Sequence, residues 1–214
     1  MSKKSKYLLP CLSAILFIVL IILIKTVDVR ATGVGDTKIG LYHLNSAAHN
    51  FFGTNAVWYK ITQITGLISL ACGGLFGILG VCQLIKRKSL LKVDREILSL
   101  GGLYIVTGII YVFFEKVIIN FRPVIMEGET AAEASFPSSH TVLVIVIMGS
   151  IIMLLKKYIK SEIAQNILKA LCAAIAVITV IGRLVSGVHW LTDILGGIIL
   201  SVSLLSIFYI IIKK

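Results

Sequence analysis

Apolar residues in this chain fall into long blocks, with polar residues gathered in the gaps. Six blocks stand out, at about Leu8–Val27, Thr62–Ile85, Ile97–Ile119, Ser139–Leu155, Ile163–Gly182 and Trp190–Ile212. Each approaches the roughly 20 apolar residues that a helix needs to cross a bilayer core. No water is available there, so each backbone N–H and C=O must pair within its own segment, and long apolar runs read as helices. The pattern predicts an all-α fold, a six-span transmembrane bundle forming one membrane-embedded domain over 1–214. No internal repeat or linker interrupts it.

Composition agrees. Of the 214 residues, 57% are hydrophobic and only 14% charged, against about 25% charged in soluble domains. The net charge of +11 could signal nucleic-acid binding, but the basic residues occupy short loops between apolar runs. They are read as a topology signal, and no nucleic-acid partner is expected. The four cysteines, Cys11, Cys72, Cys82 and Cys172, lie in or beside apolar runs without metal-ligand spacing. Neither a disulfide framework nor a zinc site is inferred.

Cationic loops mark the cytoplasmic side of a membrane protein. Lys3, Lys4 and Lys6 precede the first run, and Lys86, Arg87, Lys88, Lys92 and Arg95 follow the second. Lys156, Lys157, Lys160 and Lys169 surround the gap after the fourth, and Lys213 and Lys214 close the chain. The alternate loops are poorer in such residues. Both termini are therefore expected in the cytoplasm, as an even number of spans requires. The N-terminal basic stretch could mimic a signal peptide, but no small-residue cleavage site follows, so a retained first span is expected. The outer segment from about Asp28 to Gln63 carries Leu41-Tyr42-His43-Leu44, Phe51-Phe52 and Trp58-Tyr59. Such a mixture suits a helix lying in the interface, either an aromatic anchor or a lip guiding lipid. His43 and His49 are read as interface residues.

Ionisable residues beside membrane spans are costly and mark functional sites. Three clusters fall on the predicted outer face. Glu115-Lys116, Asn120 and Arg122-Pro123 end the third span. Phe136-Pro137-Ser138-Ser139-His140 opens the fourth. Arg183, His189 and Asp193 run from the fifth into the sixth. Arg122 and Arg183 present planar donor forks suited to phosphate oxygens. The start of the fourth helix offers free N–H groups to an anion, with Ser138 and Ser139 as hydroxyl donors or caps. With a helix beginning by His189, the i, i+4 spacing places Asp193 on the same face. A carboxylate there would fix one imidazole tautomer and leave the other nitrogen free to attack, while His140 could protonate a leaving oxygen. Taken singly, each cluster could be an interface anchor, a helix-start polar residue or a structural bond.

The ordered set resembles the signature of the type 2 phosphatidic acid phosphatase family, related to vanadium haloperoxidases. That signature reads Lys-x6-Arg-Pro, Pro-Ser-Gly-His and Ser-Arg-x5-His-x3-Asp. Here it spans about residues 115–193 as Glu115…Arg122-Pro123, Pro137-Ser138-Ser139-His140 and Gly182-Arg183…His189…Asp193. The resemblance implies His189 as a nucleophile forming a phosphohistidine, Asp193 as its orienting partner and His140 as the general acid. It implies Arg122, Arg183 and Ser138 as phosphate ligands, with no metal and no cofactor. Three positions depart from the pattern. Glu115 occupies the lysine position, although Lys116 lies beside it with a long stem that could still reach the phosphate. Ser139 replaces a glycine and Gly182 a serine. Glu127, Glu129 and Glu133 crowd the loop between the first two clusters, as solvated polarity, a gate, or recognition of a cationic group on the substrate.

The expected activity is metal-independent hydrolysis of a lipid phosphate or diphosphate at the outer face of the plasma membrane. Undecaprenyl diphosphate is the leading substrate. Phosphatidic acid and phosphatidylglycerophosphate are alternatives, as is a non-catalytic lipid-binding or transport role. A haloperoxidase is disfavoured by six spans. The partners expected are the bilayer and its lipid; oligomeric state is not legible.

Overall fold

The computed structural model of the chain describes residues 3–213, with side chains from Lys6 onward. Lys214 and the side chains of Lys3 and Lys4, which entered the charge pattern, lie outside the described residues. Helix α1 (Lys3–Thr26) leads into a small hairpin, β1 (Arg30–Ala31) and β2 (Lys38–Ile39). Then come α2 (Tyr42–Phe52), α3 (Ala56–Arg87), α4 (Arg95–Lys116), α5 (Ser139–Tyr158), α6 (Glu162–Val185) and α7 (Leu191–Ile212). All but α2 are long and apolar enough to cross a membrane. The chain is a multi-pass membrane protein of six helical spans, as the blocks predict.

α5 is the central span, with Val144, Val146 and Met148 almost fully enclosed by its neighbours. Residues such as Leu67, Ile105 and Ile163 instead face outward, as lipid-facing positions should. Lipid tails are as apolar as leucine, so helices associate through close packing and polar pairs rather than water exclusion. Thr65 of α3 meets Thr179 of α6 at 2.7 Å. A Cβ on Gly149 would lie 2.5 Å from Leu205 of α7, so that glycine permits the α5–α7 approach.

α3 starts earlier than its apolar block. Asn55 caps it, accepting from the N–H groups of Val57 and Trp58 at 3.0 and 3.1 Å. Trp58 and Tyr59 thereby belong to a span and not to the interfacial segment. That segment does contain a helix, α2, with Phe51 and Leu44 exposed. Its buried Asn45 donates to the Gly40 carbonyl at 2.9 Å and accepts from the Thr192 N–H at 3.1 Å, stapling α2 to the start of α7. At the opposite end of the bundle, Asp94 accepts from Gln83 at 2.9 Å, Arg87 at 2.8 Å and Tyr158 at 3.2 Å. These bonds, Arg87's foremost, hold its carboxyl below the usual range and tie α3, α4 and α5 together. Arg87, bonded to Asp94, and Lys157, paired with Glu96, are topology signals that also serve as structural partners.

Candidate active site

The C-terminal ends of α4 and α6 and the N-terminal ends of α5 and α7 meet at one end of the bundle. The three sequence clusters therefore converge. Arg183, in the last turn of α6, is only 1% exposed. Its Nη1 donates to Thr62 Oγ1 at 3.3 Å, its Nη2 to His189 Nε2 at 2.9 Å, and its guanidinium lies 5.4 Å from the Tyr59 ring centre. A guanidinium only donates. Nε2 of His189 therefore carries the lone pair, and the ring proton sits on Nδ1.

The geometry of His189 and Asp193 differs from the sequence expectation. α7 begins at Leu191, so His189 precedes the helix and does not share a helical face with Asp193. The carboxylate turns back over the helix start, where Oδ2 accepts from the Trp190 N–H at 3.0 Å and Oδ1 from Asn120 Nδ2 at 2.9 Å. His189 Nδ1 lies 3.6 Å from Oδ2 and also faces the Ser135 backbone, without a hydrogen bond of normal length. The tautomer follows from Arg183's donation to Nε2, while Asp193 contributes charge at longer range. Burial, followed by Arg183 and Arg122, holds the His189 imidazole well below its usual pKa, so it is neutral at physiological pH.

At the α5 start, Ser138 is fully buried. Its N–H donates to the Asp193 carbonyl at 3.0 Å and its Oγ accepts from Thr141 at 3.0 Å. Ser138 thus joins α5 to α7 and does not line the cavity described below. Ser139 does line it, as does His140. The first helical N–H groups, those of Ser139, His140 and Thr141, precede the first intrahelical bond, from Val142 N–H to the Ser138 carbonyl, and are free for an anion. The His140 ring packs on Gly66 of α3, where a Cβ would lie 3.1 Å from it.

Arg122 also lines the cavity. Its N–H donates to the Glu133 carbonyl at 2.9 Å, and its Nε lies 3.1 Å from Glu133 Oε2. Nη1 has no hydrogen-bond partner among the described residues. Of the three loop acids, only Glu133 is engaged here; Glu127 and Glu129 are exposed. Lys116 is exposed and does not line the cavity, whereas Glu115 does. One helical step of about 100° separates them, and that step turns Lys116 away. Gly182 also has a reason: a Cβ there would sit 2.6 Å from Thr62 Cγ2 and 3.0 Å from the Trp58 ring. The close seat of α3 on α6 leaves no room for a serine unless these side chains shift.

The cavity measures about 770 Å³ and runs from Arg122, His140 and His189 down between α3 and α4. Gly66 and Ser135 line it as well, while Thr62 and Tyr59 hold Arg183; sequence reading placed Tyr59 in the interfacial segment and assigned no role to the other three. A polar Thr62 three positions after Tyr59 at a span's outer end was the available signal.

Fold and site define a multi-pass membrane protein whose polar centre is a histidine set among arginines at one end of the bundle. The family model described as PAP2 superfamily matches residues 96–214, more than half of the chain, and the protein belongs to that superfamily. The fold is similar to the crystal structure of the first transmembrane PAP2 type phosphatidylglycerolphosphate phosphatase from Bacillus subtilis. The TM-score is 0.65 at 20% identity, over 97% of this chain and 95% of that one. No curated protein matches the sequence. Family membership supports phosphatase activity on a lipid.

Proposed function

We propose that the protein hydrolyses a lipid phosphate or diphosphate through a phosphohistidine on His189, without a metal, at the outer face of the plasma membrane. The observation that carries this reading is the 2.9 Å contact from Arg183 to His189 Nε2, which leaves the nucleophilic lone pair on the nitrogen facing a phosphate-binding cation. Arg183, Arg122 and the free N–H groups of Ser139 and His140 bind the phosphoryl oxygens, the phosphate displacing the guanidinium from Nε2. Nε2 attacks phosphorus and forms the P–N bond. The P–O bond to the leaving group breaks, and His140 protonates that oxygen. Water then attacks phosphorus, His140 takes its proton, and the P–N bond breaks to release phosphate. Fixed cations and N–H donors stabilise the charge on the equatorial oxygens. The cationic loops at the end of the bundle remote from His189 support an outward site.

Undecaprenyl diphosphate is the substrate favoured, since a carrier lipid freed on the outer leaflet meets such a site directly. Phosphatidic acid and phosphatidylglycerophosphate fit the same phosphate chemistry. The test is phosphate release by the purified protein from a panel of these lipids, with and without chelator, beside His189→Ala. Release that survives chelator and disappears in the variant is expected. No release from any lipid, or full activity in His189→Ala, would refute the reading.

A further inference from the structure

The site cavity does not end below the phosphate groups. It descends between α3 and α4 to Gly73, Gly77 and Tyr104. A second cavity of about 250 Å³ shares those three residues and continues to Leu84, Val93 and Ile97. The two form one seam. From Gln63 at its head to Leu84 at its foot, α3 rises about 30 Å at 1.5 Å per residue. The hydrocarbon core of a bilayer is also about 30 Å thick. A glycerolipid chain hanging from the outer leaflet covers roughly half of that depth, so the lower part of the seam lies beyond its reach.

The walls suit hydrocarbon. Below Tyr104 they are Phe76, Val81, Leu84 and Leu100, with glycines on the α3 side. At Gly74 and Gly77 an added Cβ would meet nothing within 4 Å, so these positions face open space. A Cβ on Gly73 would lie 3.4 Å from Tyr104 and one on Gly80 2.9 Å from Ile97, so α3 and α4 approach at those two levels and leave the Gly74 and Gly77 positions open between them. The head of the seam holds His189, whose side chain is 2% exposed. The seam therefore connects a buried reactive centre to the opposite leaflet's depth.

We propose that this α3–α4 seam is a binding groove for one hydrocarbon chain longer than a leaflet, a polyisoprenoid, and that Gly77 determines chain-length specificity. This rests on the phosphatase reading above and selects within it. A chain threaded past Gly77 gains apolar contact that a short or leaflet-deep chain does not make.

The test compares kcat/KM for undecaprenyl diphosphate and farnesyl diphosphate, which share a head group, using the full-length protein. Gly77→Leu places a side chain in the groove, and Gly77→Ala places a single methyl there. Leu75→Phe, at a 64% exposed position, adds bulk nearby without entering the seam. Blocking the groove should lower the undecaprenyl value about tenfold in Gly77→Leu, a size usual for a misfitted apolar pocket. Gly77→Ala should fall between, and Leu75→Phe should match the unsubstituted protein. Farnesyl diphosphate turnover should hold in all three. An unchanged undecaprenyl value in Gly77→Leu, or an equal loss on both substrates, overturns the groove assignment. Release from phosphatidic acid or phosphatidylglycerophosphate but from neither prenyl diphosphate by the unsubstituted protein overturns the groove assignment alone, whereas release from none of these lipids sinks the phosphatase reading and the groove with it.

Discussion

Asn120 donates its Nδ2 proton to Asp193 Oδ1 at 2.9 Å across 73 residues of sequence. Asn120 also accepts the Ser135 N–H on its carbonyl at 2.9 Å, so one residue braces both the loop carrying Arg122 and the carboxylate beside His189. Replacing it leaves a fully buried carboxylate oxygen without its donor. Asn120→Ala should cost about 1–3 kcal/mol of stability and lower kcat. A denaturant midpoint and kcat both unchanged would show that the brace is dispensable.

Glu115 lines the cavity where the family pattern has lysine. Coulomb repulsion between this carboxylate and a bound phosphate works against binding. Glu115→Lys should raise kcat/KM on anionic lipid phosphates by about tenfold, the order expected of reversing one solvent-screened charge beside a phosphate. Lys116→Ala should change it little, since Lys116 does not line the cavity. A larger loss from Lys116→Ala than from Glu115→Ala contradicts this placement.

Restoring the family serine at position 182 should be harmful here. Its Cβ would press on Thr62 and Trp58, and overpacking of this kind costs about 1–3 kcal/mol. Gly182→Ser should lower the thermal midpoint, and adding Thr62→Ser, which removes the contacted methyl, should recover part of the loss. No recovery in the double variant argues against the clash as the cause.

His189 also links pH to stability. Its folded pKa lies below the unfolded value of about 6.5, so the unfolded chain binds the extra proton between the two values. Stability is then fully present above about pH 6.5 and declines as pH falls below it. The thermal midpoint should drop between pH 7 and pH 5, and His189→Asn should flatten the drop. His49, lowered by burial, accounts for part of what remains. An identical slope in both proteins would contradict the direction assigned to His189.

The six spans were legible because apolar runs long enough for a bilayer have few other uses. Each spanning helix overlaps its predicted block, and the differences lie at the ends. Asn55 moved the α3 start because a cap is a local hydrogen bond that hydropathy does not register. Arg183 beside His189, and His140 in the same cavity, followed from spacing and span parity. The His189–Asp193 relation was legible as proximity but not as geometry, since the sequence does not reveal that the helix begins at Leu191. Ser138 looked like a phosphate ligand and lies instead in the α5–α7 contact, its N–H engaged by Asp193. Whether Glu115 or Lys116 faces the cavity depends on helix phase. The packing glycines, Gly66 and Gly182, acquire meaning only through the side chains opposite them.

The central claim is a covalent intermediate on His189. It is tested most directly by rapid acid-free quenching of the protein with lipid substrate labelled at the phosphate, followed by peptide analysis of the bound label. A phosphoramidate stable in base and labile in acid, located on His189 and missing from His189→Gln, is the predicted result. Label on another residue, or steady turnover by the His189→Gln protein, would contradict the account.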